Sequence, residues 1–431
     1  MQNKLFKIIF LSMLGEVIEF YDFSIFAFLA TMLANVFFTG SPFFKLIATF
    51  SVFATAYIAR PIGGIIISHY GDRYGRKNVF IISIIITGVS TFCIALLPTY
   101  KDFGILAPIL LIALRLIQGL SLGGELPGAV TFVYEHAPEK KRPFATSLIY
   151  SGVGYGVLLA SSVIWLLSFT LSTQQMNIFG WRIAFAIGGI LALLGAWMRV
   201  ALAETPAFNE IVEKNGTLKF PFWNFICNYF YVFCKCIGLL FISLPGPVIF
   251  MSLPPLLVFK YHLIFEKLLF INTIGLLIVS TCIFLFGYCI HKFNLNPIKF
   301  FILGTSLLII FAIPIFYLIN SRNYTLILFA VIIFAVVNAI YCSSLYFIVA
   351  KQFPVEIRYT SLAVTLNIGT IVSTGLVPLL TALTLQYFNS LYSLSGIIIL
   401  TSLIALLAAL FIKKGTMVKI KKEDSEYFQF R

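Results

Sequence analysis

Charge is what this sequence has least of. Only 11% of its 431 residues are Asp, Glu, Lys or Arg, against about 25% in an ordinary soluble domain. Cysteine is sparse too: there are seven, most of them inside apolar runs, and no CxxC pair occurs. That argues against metal or redox work and leaves the thiols as small buried hydrophobes. The four histidines, His69, His136, His262 and His291, fall at the edges of apolar segments without metal-ligand spacing, so no metal site is expected. A GxxxxGK[ST] phosphate loop is missing, which argues against drive by ATP. No nucleophile–base pair falls within the apolar segments, which argues against an enzyme. A signal h-region is lacking as well. The first apolar stretch runs from Ile8 to about Phe38, beyond the roughly 7–15 residues of such a region.

What the chain has in abundance is apolar sequence, 60% of all residues. It comes in long runs, and about 20 such residues in a helix cross a hydrocarbon core. Twelve spans are predicted: 8–37, 43–68, 78–98, 104–134, 144–170, 181–203, 236–259, 267–290, 298–319, 324–350, 361–387 and 391–412. The fold class is therefore an all-α membrane protein. An even number of spans puts both termini on one side. That side carries 21 Lys and Arg against 6 opposite, with Arg60, Arg115 and Lys235 left over. The termini are thus predicted to be cytoplasmic. The net charge of +14 becomes a topological anchor, and a nucleic-acid partner is not expected. The longest polar stretch, 204–219, separates two sets of six spans. The aromatic segment after it, FPFWNFICNYFYVFCK, is expected to lie along the interface. The expected organisation is an N-terminal bundle over 1–203, a central loop and interfacial segment over 204–235, a C-terminal bundle over 236–412 and a tail over 413–431.

The two sets repeat. APEKKRPFATSL (137–148) and FPVEIRYTSL (353–362) share Pro-x-x-x-Arg followed by Ser-Leu. Pro138 and Pro354, Arg142 and Arg358, and Gly71 and Gly287 are each separated by the same offset of 216 residues. A parallel six-plus-six repeat places a substrate site at the midplane between its halves.

Against this apolar background a few charges stand out. LGEVIEFYDFSIF (14–26) holds Glu16, Glu19 and Asp22, which share an arc of about 120° on a helix. Glu19 lies roughly 16 Å into the first span at 1.5 Å per residue. A charge at a helix centre costs about 2.5–3.5 kcal/mol on insertion scales, so three facing lipid would cost about 8–10. This face must meet protein or water. Out of water a carboxyl can carry a proton near neutral pH. Glu125, in GLSLGGELPG, is the remaining acid expected at membrane depth, with Pro127 bending the helix beside it. Arg60 and Arg115 each require a carboxylate, from the protein or from a ligand. Arg115 with Asp22 and Arg115 with Glu19 both fit. By the 216 offset, Arg115 maps to Val331, Glu125 to Tyr341 and Asp22 to Gly238. The charged machinery is therefore confined to one half.

GDRYGRK (71–77) and RLIQG (115–119) resemble the signature loop and helix-4 motif of the major facilitator superfamily. Within it, GEVIEFYDF, RPIGG, RLIQGLSLGGE, GWRIAF, ETPAF and FPVEIRYTSLAVTLNIG, in order along the chain, resemble the metabolite:proton symporters. That family includes proline/betaine, α-ketoglutarate, citrate and shikimate carriers. The chain departs from its pattern at Glu16 and Phe20. The resemblance implies the major facilitator fold, with two six-helix bundles rocking about a central site, and proton-coupled uptake of a small polar metabolite. A proline- or betaine-like zwitterion is favoured. A small organic carboxylate, or a larger ligand such as a siderophore, is the alternative. Glu16, Glu19, Asp22, Arg60, Arg115, Gln118 and Glu125 are then the proton or substrate residues. Asn338, Tyr341, Tyr346 and Asn367 shape the substrate pocket in the other half. Gly71, Asp72, Arg73, Gly75, Arg76 and Lys77, with Arg142 and Arg358, form a cytoplasmic gate. No cofactor is implied beyond a proton gradient. The expected setting is the bilayer of a bacterial inner membrane, with the chain acting as a monomer.

Overall fold

A computed structural model of the chain describes residues 2–74, 76–200, 221–355 and 357–414. Among the described residues the chain forms twelve helical rods. α1 covers Gln2–Phe28 and turns by 64° into Ala30–Phe37. The rest of the N-terminal bundle is α2 (Pro42–Tyr74), α3 (Arg76–Leu96), α4 (Leu106–His136), α5 (Arg142–Thr170) and α6 (Trp181–Val200). The C-terminal bundle is α7 (Phe225–Tyr261), α8 (Phe265–Lys292), α9 (Pro297–Asn320), α10 (Tyr324–Lys351), α11 (Arg358–Phe388) and α12 (Tyr392–Lys414). Among the described residues ten helices are long and apolar enough to cross a membrane, and the bent α1 makes an eleventh. The remaining expected span is α3, whose apolar stretch is Ile81–Leu96.

The connections are tight because their residues suit them. Asn296 and Asn323 cap α9 and α10, each side-chain carbonyl accepting two backbone N–H groups of the first turn, as N-cap asparagines do. His262 and Asn389 end α7 and α11 in the left-handed conformation. Arg182 of the GWRIAF motif donates to the carbonyls of Ala95 (2.8 Å) and Leu97 (2.7 Å), closing the C-terminus of α3. Beside it Trp181 is fully buried and packs edge-on against Phe37.

One boundary differs from expectation. The aromatic segment before 236 is helical from Pro221 and runs into α7. Pro221 suits the first position of a helix, and nothing between it and Leu240 breaks the run. The apolar span Phe225–Tyr261 alone has 37 residues, beyond the roughly 20 that a bilayer requires.

Glycines set the spacing inside the N-terminal bundle. A Cβ on Gly119 would strike the Ala56 carbonyl, and one on Gly123 the Arg60 carbonyl. This small-xxx-small pair lets α4 lie directly on α2 and holds both arginine-bearing helices beside α1. The two bundles meet along α5 with α8 and α10, and along α2 and α4 with α11. The first seam is polar: Ser151 donates to the Ser280 carbonyl (2.8 Å) and Ser161 bonds Thr273 (2.9 Å).

Candidate functional site

All six expected intramembrane charges of the N-terminal half are buried: Glu16, Glu19, Asp22, Arg60, Arg115 and Glu125. Arg60 pairs with Glu19, joining α2 to α1. Its guanidinium also sits against the rings of Phe23 and Tyr57, 5.1 and 5.5 Å from their centroids. One turn further along α1, Asp22 is held differently. The Gln118 amide donates to Asp22 Oδ2 (2.9 Å) and to Thr91 Oγ1 (2.7 Å), tying α1 to α4 and α3. Arg115 lies in electrostatic reach of Asp22 but forms no ion pair with it. Its guanidinium stacks 3.9 Å from the Phe26 centroid, and none of its three nitrogens has a hydrogen-bond partner among the described residues. Tyr57 stands between the two arginines, within the field of both.

These two acids therefore differ chemically. Protonating Glu19 breaks a buried ion pair, a costly change. Asp22 has an unbonded oxygen, Oδ1, and no bond to Arg115 to lose. It can take up and release a proton with its neighbours in place.

Glu125 opens the second part of α4, after a break at Gly123–Gly124. The break falls one turn before Pro127, whose missing N–H cannot bond the Gly123 carbonyl. Asn367 of α11 donates to that carbonyl instead, and Tyr359 donates to the next one, Gly124 (3.2 Å). A proline in one bundle thus creates an acceptor that the other bundle uses.

Between the bundles lies a cavity of about 100 Å³. The N-terminal half contributes Phe20, Tyr150, Val153, Gly154 and Val157. The C-terminal half contributes most of the wall, with Phe250, Ser243, Asn338, Tyr346, Thr370, Ser373 and Thr374 among its residues. No Asp, Glu, Lys or Arg lines it. Tyr150 and Tyr346 meet across the seam with ring centroids 4.5 Å apart. The Ser373 hydroxyl is buried without a partner among the described residues. Two of the lining helices leave α geometry here: α7 passes through a 3₁₀ turn at Phe241–Ser243 and a π turn at Val248–Ser252, and α11 through a π turn at Ile371–Gly375. Such turns recur at functional sites.

Of the four residues expected to shape the pocket, Asn338 and Tyr346 line this cavity. Tyr341 and Asn367 do not line the cavity. Tyr341 lies on the side of α10 packed against Gly304 of α9, and Asn367 is engaged with α4. At the end carrying the chain termini, Arg142 and Arg358 occupy matching positions. Each donates its Nε to a carbonyl five residues earlier, Ala137 and Phe353, and each stacks 4.8 Å from the ring centroid of Tyr134. Arg358 also pairs with Glu135 (3.0 Å) across the bundles. Gly75 and the side chains of Asp72, Arg73, Arg76 and Lys77 lie outside the described residues, and Gly71 falls in the last turn of α2.

Tyr57, Thr91, Tyr134, Glu135, Tyr150 and Ser373 were not singled out from sequence, and Phe20 only as a departure from the family pattern. The aromatic members are hidden among 46 Phe and 20 Tyr. For Tyr134 and Glu135 a signal existed: they stand four and three residues before Pro138, which opens the repeated Pro-x-x-x-Arg segment.

The model of the Major Facilitator Superfamily matches residues 12–374. The glycine betaine/proline/ectoine/pipecolic acid transporter OusA of Dickeya dadantii is 33% identical, over 97% of this chain and 85% of that one. The proline/betaine transporter of Escherichia coli K12 is 32% identical, over 96% and 84%. Among solved structures, the proton:xylose symporter XylE bound to 6-bromo-6-deoxy-D-glucose superposes with a TM-score of 0.78 at 17% identity, covering 96% of each chain.

Proposed function

Because the chain belongs to the Major Facilitator Superfamily, we propose that it carries a small zwitterion of the proline/betaine kind inward together with a proton. It is a transporter and not an enzyme. Two six-helix bundles alternate access to the central cavity, and a proton gradient supplies the drive. The observation that carries the substrate class is a small cavity without a charged side chain in its wall. Its volume lies well below the roughly 300–1,000 Å³ of pockets for drug-sized ligands, which favours a ligand of few atoms over a siderophore. A di- or tricarboxylate would enter with net negative charge and meet no cation. A zwitterion brings its own compensation. Phe20, Tyr150, Phe250 and Tyr346 offer ring faces to an ammonium. Ser243, Thr370, Ser373 and Thr374 offer hydroxyls to a carboxylate. The names of the relatives support the same class.

Asp22 is the proton carrier in this reading, with Arg115 as the charge beside it. Gln118 and Thr91 orient the carboxyl, and the Glu19–Arg60 pair braces α1 against α2. Glu125 and Glu16 flank this cluster. The terminal end, with its excess of Lys and Arg, faces the cytoplasm of a bacterial cell and is held shut by Arg142, Arg358, Tyr134 and Glu135. The GDRYGRK loop belongs to the same gate. Each chain encloses its own cavity, so a monomer suffices.

Counterflow in proteoliposomes tests this. Proline and glycine betaine should exchange saturably and accumulate under an inward proton gradient, while citrate, α-ketoglutarate and shikimate should not compete. Transport of citrate or α-ketoglutarate in preference to both zwitterions would replace the substrate class. Non-saturable flux without counterflow would indicate a channel.

A further inference from the structure

We propose that Tyr346 is the positioning residue through which the charge cluster on α1 and α2 and the occupied cavity act on each other. The proposal rests on the proton-coupled reading above and adds the place where coupling occurs.

Coupling requires that binding at each site change the free energy of binding at the other. It therefore needs a physical contact that both sites share. Glu16 and Phe20 lie one turn apart on the face of α1 that packs on α5. Gly152 admits Glu16 and Gly156 admits Phe20, since a Cβ on either glycine would crowd those side chains. Phe20 reaches the cavity wall, and Glu16 sits one turn beneath it toward the terminal end. Tyr150 leaves α5 two residues before Gly152 and closes the same corner. Tyr346 comes from α10, in the other bundle, and packs on Tyr150 at 4.5 Å between centroids. It lines the cavity and reaches this corner from the C-terminal bundle through Tyr150. Glu16, Glu19 and Arg60 lie in electrostatic reach of it.

The placement gives Tyr346 two inputs. A proton reaching Glu16 changes the net charge in electrostatic reach of Tyr346. Filling the cavity fixes the Tyr150–Tyr346 stack. Because the charges ride on one bundle and Tyr346 on the other, either input alters the attraction between the bodies that must separate for the cavity to open toward the terminal end. Glu16 is the nearest of the acids to this corner, which gives an acid outside the Asp22 site a role.

The test uses the full chain in proteoliposomes with labelled glycine betaine as probe. Counterflow without a gradient reports binding and reorientation. Accumulation under an inward proton gradient reports coupling as well. Tyr346→Phe keeps the ring and removes the hydroxyl. It is expected to lower accumulation about tenfold more than it lowers counterflow, within the 5–150-fold of typical coupling energies. Glu16→Gln should lower the same ratio, and the double variant should lower it no further than the larger single effect, as for residues acting through one contact. Equal loss in both assays, or additive losses in the double variant, overturns the proposal. If Tyr346→Phe does not fold, Glu16→Gln decides alone, an unaltered ratio counting against it. A parent chain that accumulates the probe without dependence on the gradient overturns the proton-coupled reading itself, and the proposal with it.

Discussion

The two bundles share a sequence plan and differ in what they bury. Six charged side chains lie buried in α1, α2 and α4. Among the described residues of α7–α12, only Arg358 is a buried charge, and it sits at the start of α11. In the second bundle Leu276, which lines the cavity, stands 216 positions from Arg60, and Val331 from Arg115. The buried polar groups there are amides and hydroxyls, such as Asn338 with its bond from Cys342 (2.9 Å). In the proposed reading, the difference separates two tasks that conflict. A proton carrier needs a carboxyl beside a fixed charge. A pocket for a net-neutral ligand is best kept free of either. Dividing them between duplicated halves lets each environment be set without spoiling the other.

The comparison is most sharply tested by removing one partner of a buried pair. Glu19→Gln leaves Arg60 buried without its carboxylate and should cost about 3–5 kcal/mol, whereas replacing both Glu19 and Arg60 by Leu should cost less. Thermal unfolding in detergent measures both. A smaller effect is expected at the gate, where the repeat-related arginines differ in partners. Arg358→Ala loses a charged hydrogen bond to Glu135 worth about 1.5–3 kcal/mol. Arg142→Ala loses only its carbonyl bond and ring contact, so it should destabilise less in the same assay. The smallest effect belongs to the neutral bundle. Ser373→Ala should raise the KM for glycine betaine about fivefold, the equivalent of roughly 1 kcal/mol for one hydrogen bond. Its ratio of protons to substrate should stay that of the parent. A loss of coupling in Ser373→Ala would erase the division of labour.

Much of this was legible in the sequence because membrane burial penalises charge so steeply. The shared face of Glu16, Glu19 and Asp22, the need of Arg60 and Arg115 for acids, and the twinning of Arg142 with Arg358 all follow from that penalty and from the 216-residue offset. The pairing itself was not legible. Glu19 chose Arg60, and Arg115 stayed unpaired beside Asp22, because the glycine-mediated crossing of α2 and α4 fixes which guanidinium reaches which turn of α1. The cavity wall was harder still. In a chain this rich in Phe and Tyr, periodicity does not distinguish a lining ring from a core ring, and Tyr341 was expected there where Tyr150 stands. Asn367 was misplaced for another reason. Its partner is a carbonyl exposed by Pro127, more than two hundred residues away, and only the packed bundles bring the two together.

The separation of proton site from substrate site comes down to Asp22. Proton movement can be followed with a pH dye outside proteoliposomes as glycine betaine is added, with labelled exchange measured on the same vesicles. In the parent, addition should draw protons inward with the substrate. With Asp22→Asn, labelled exchange should persist while the substrate-induced pH change disappears. An Asp22→Asn chain that still takes up protons with glycine betaine at the parent's ratio would contradict the assignment of coupling to the N-terminal bundle's Asp22–Arg115 site.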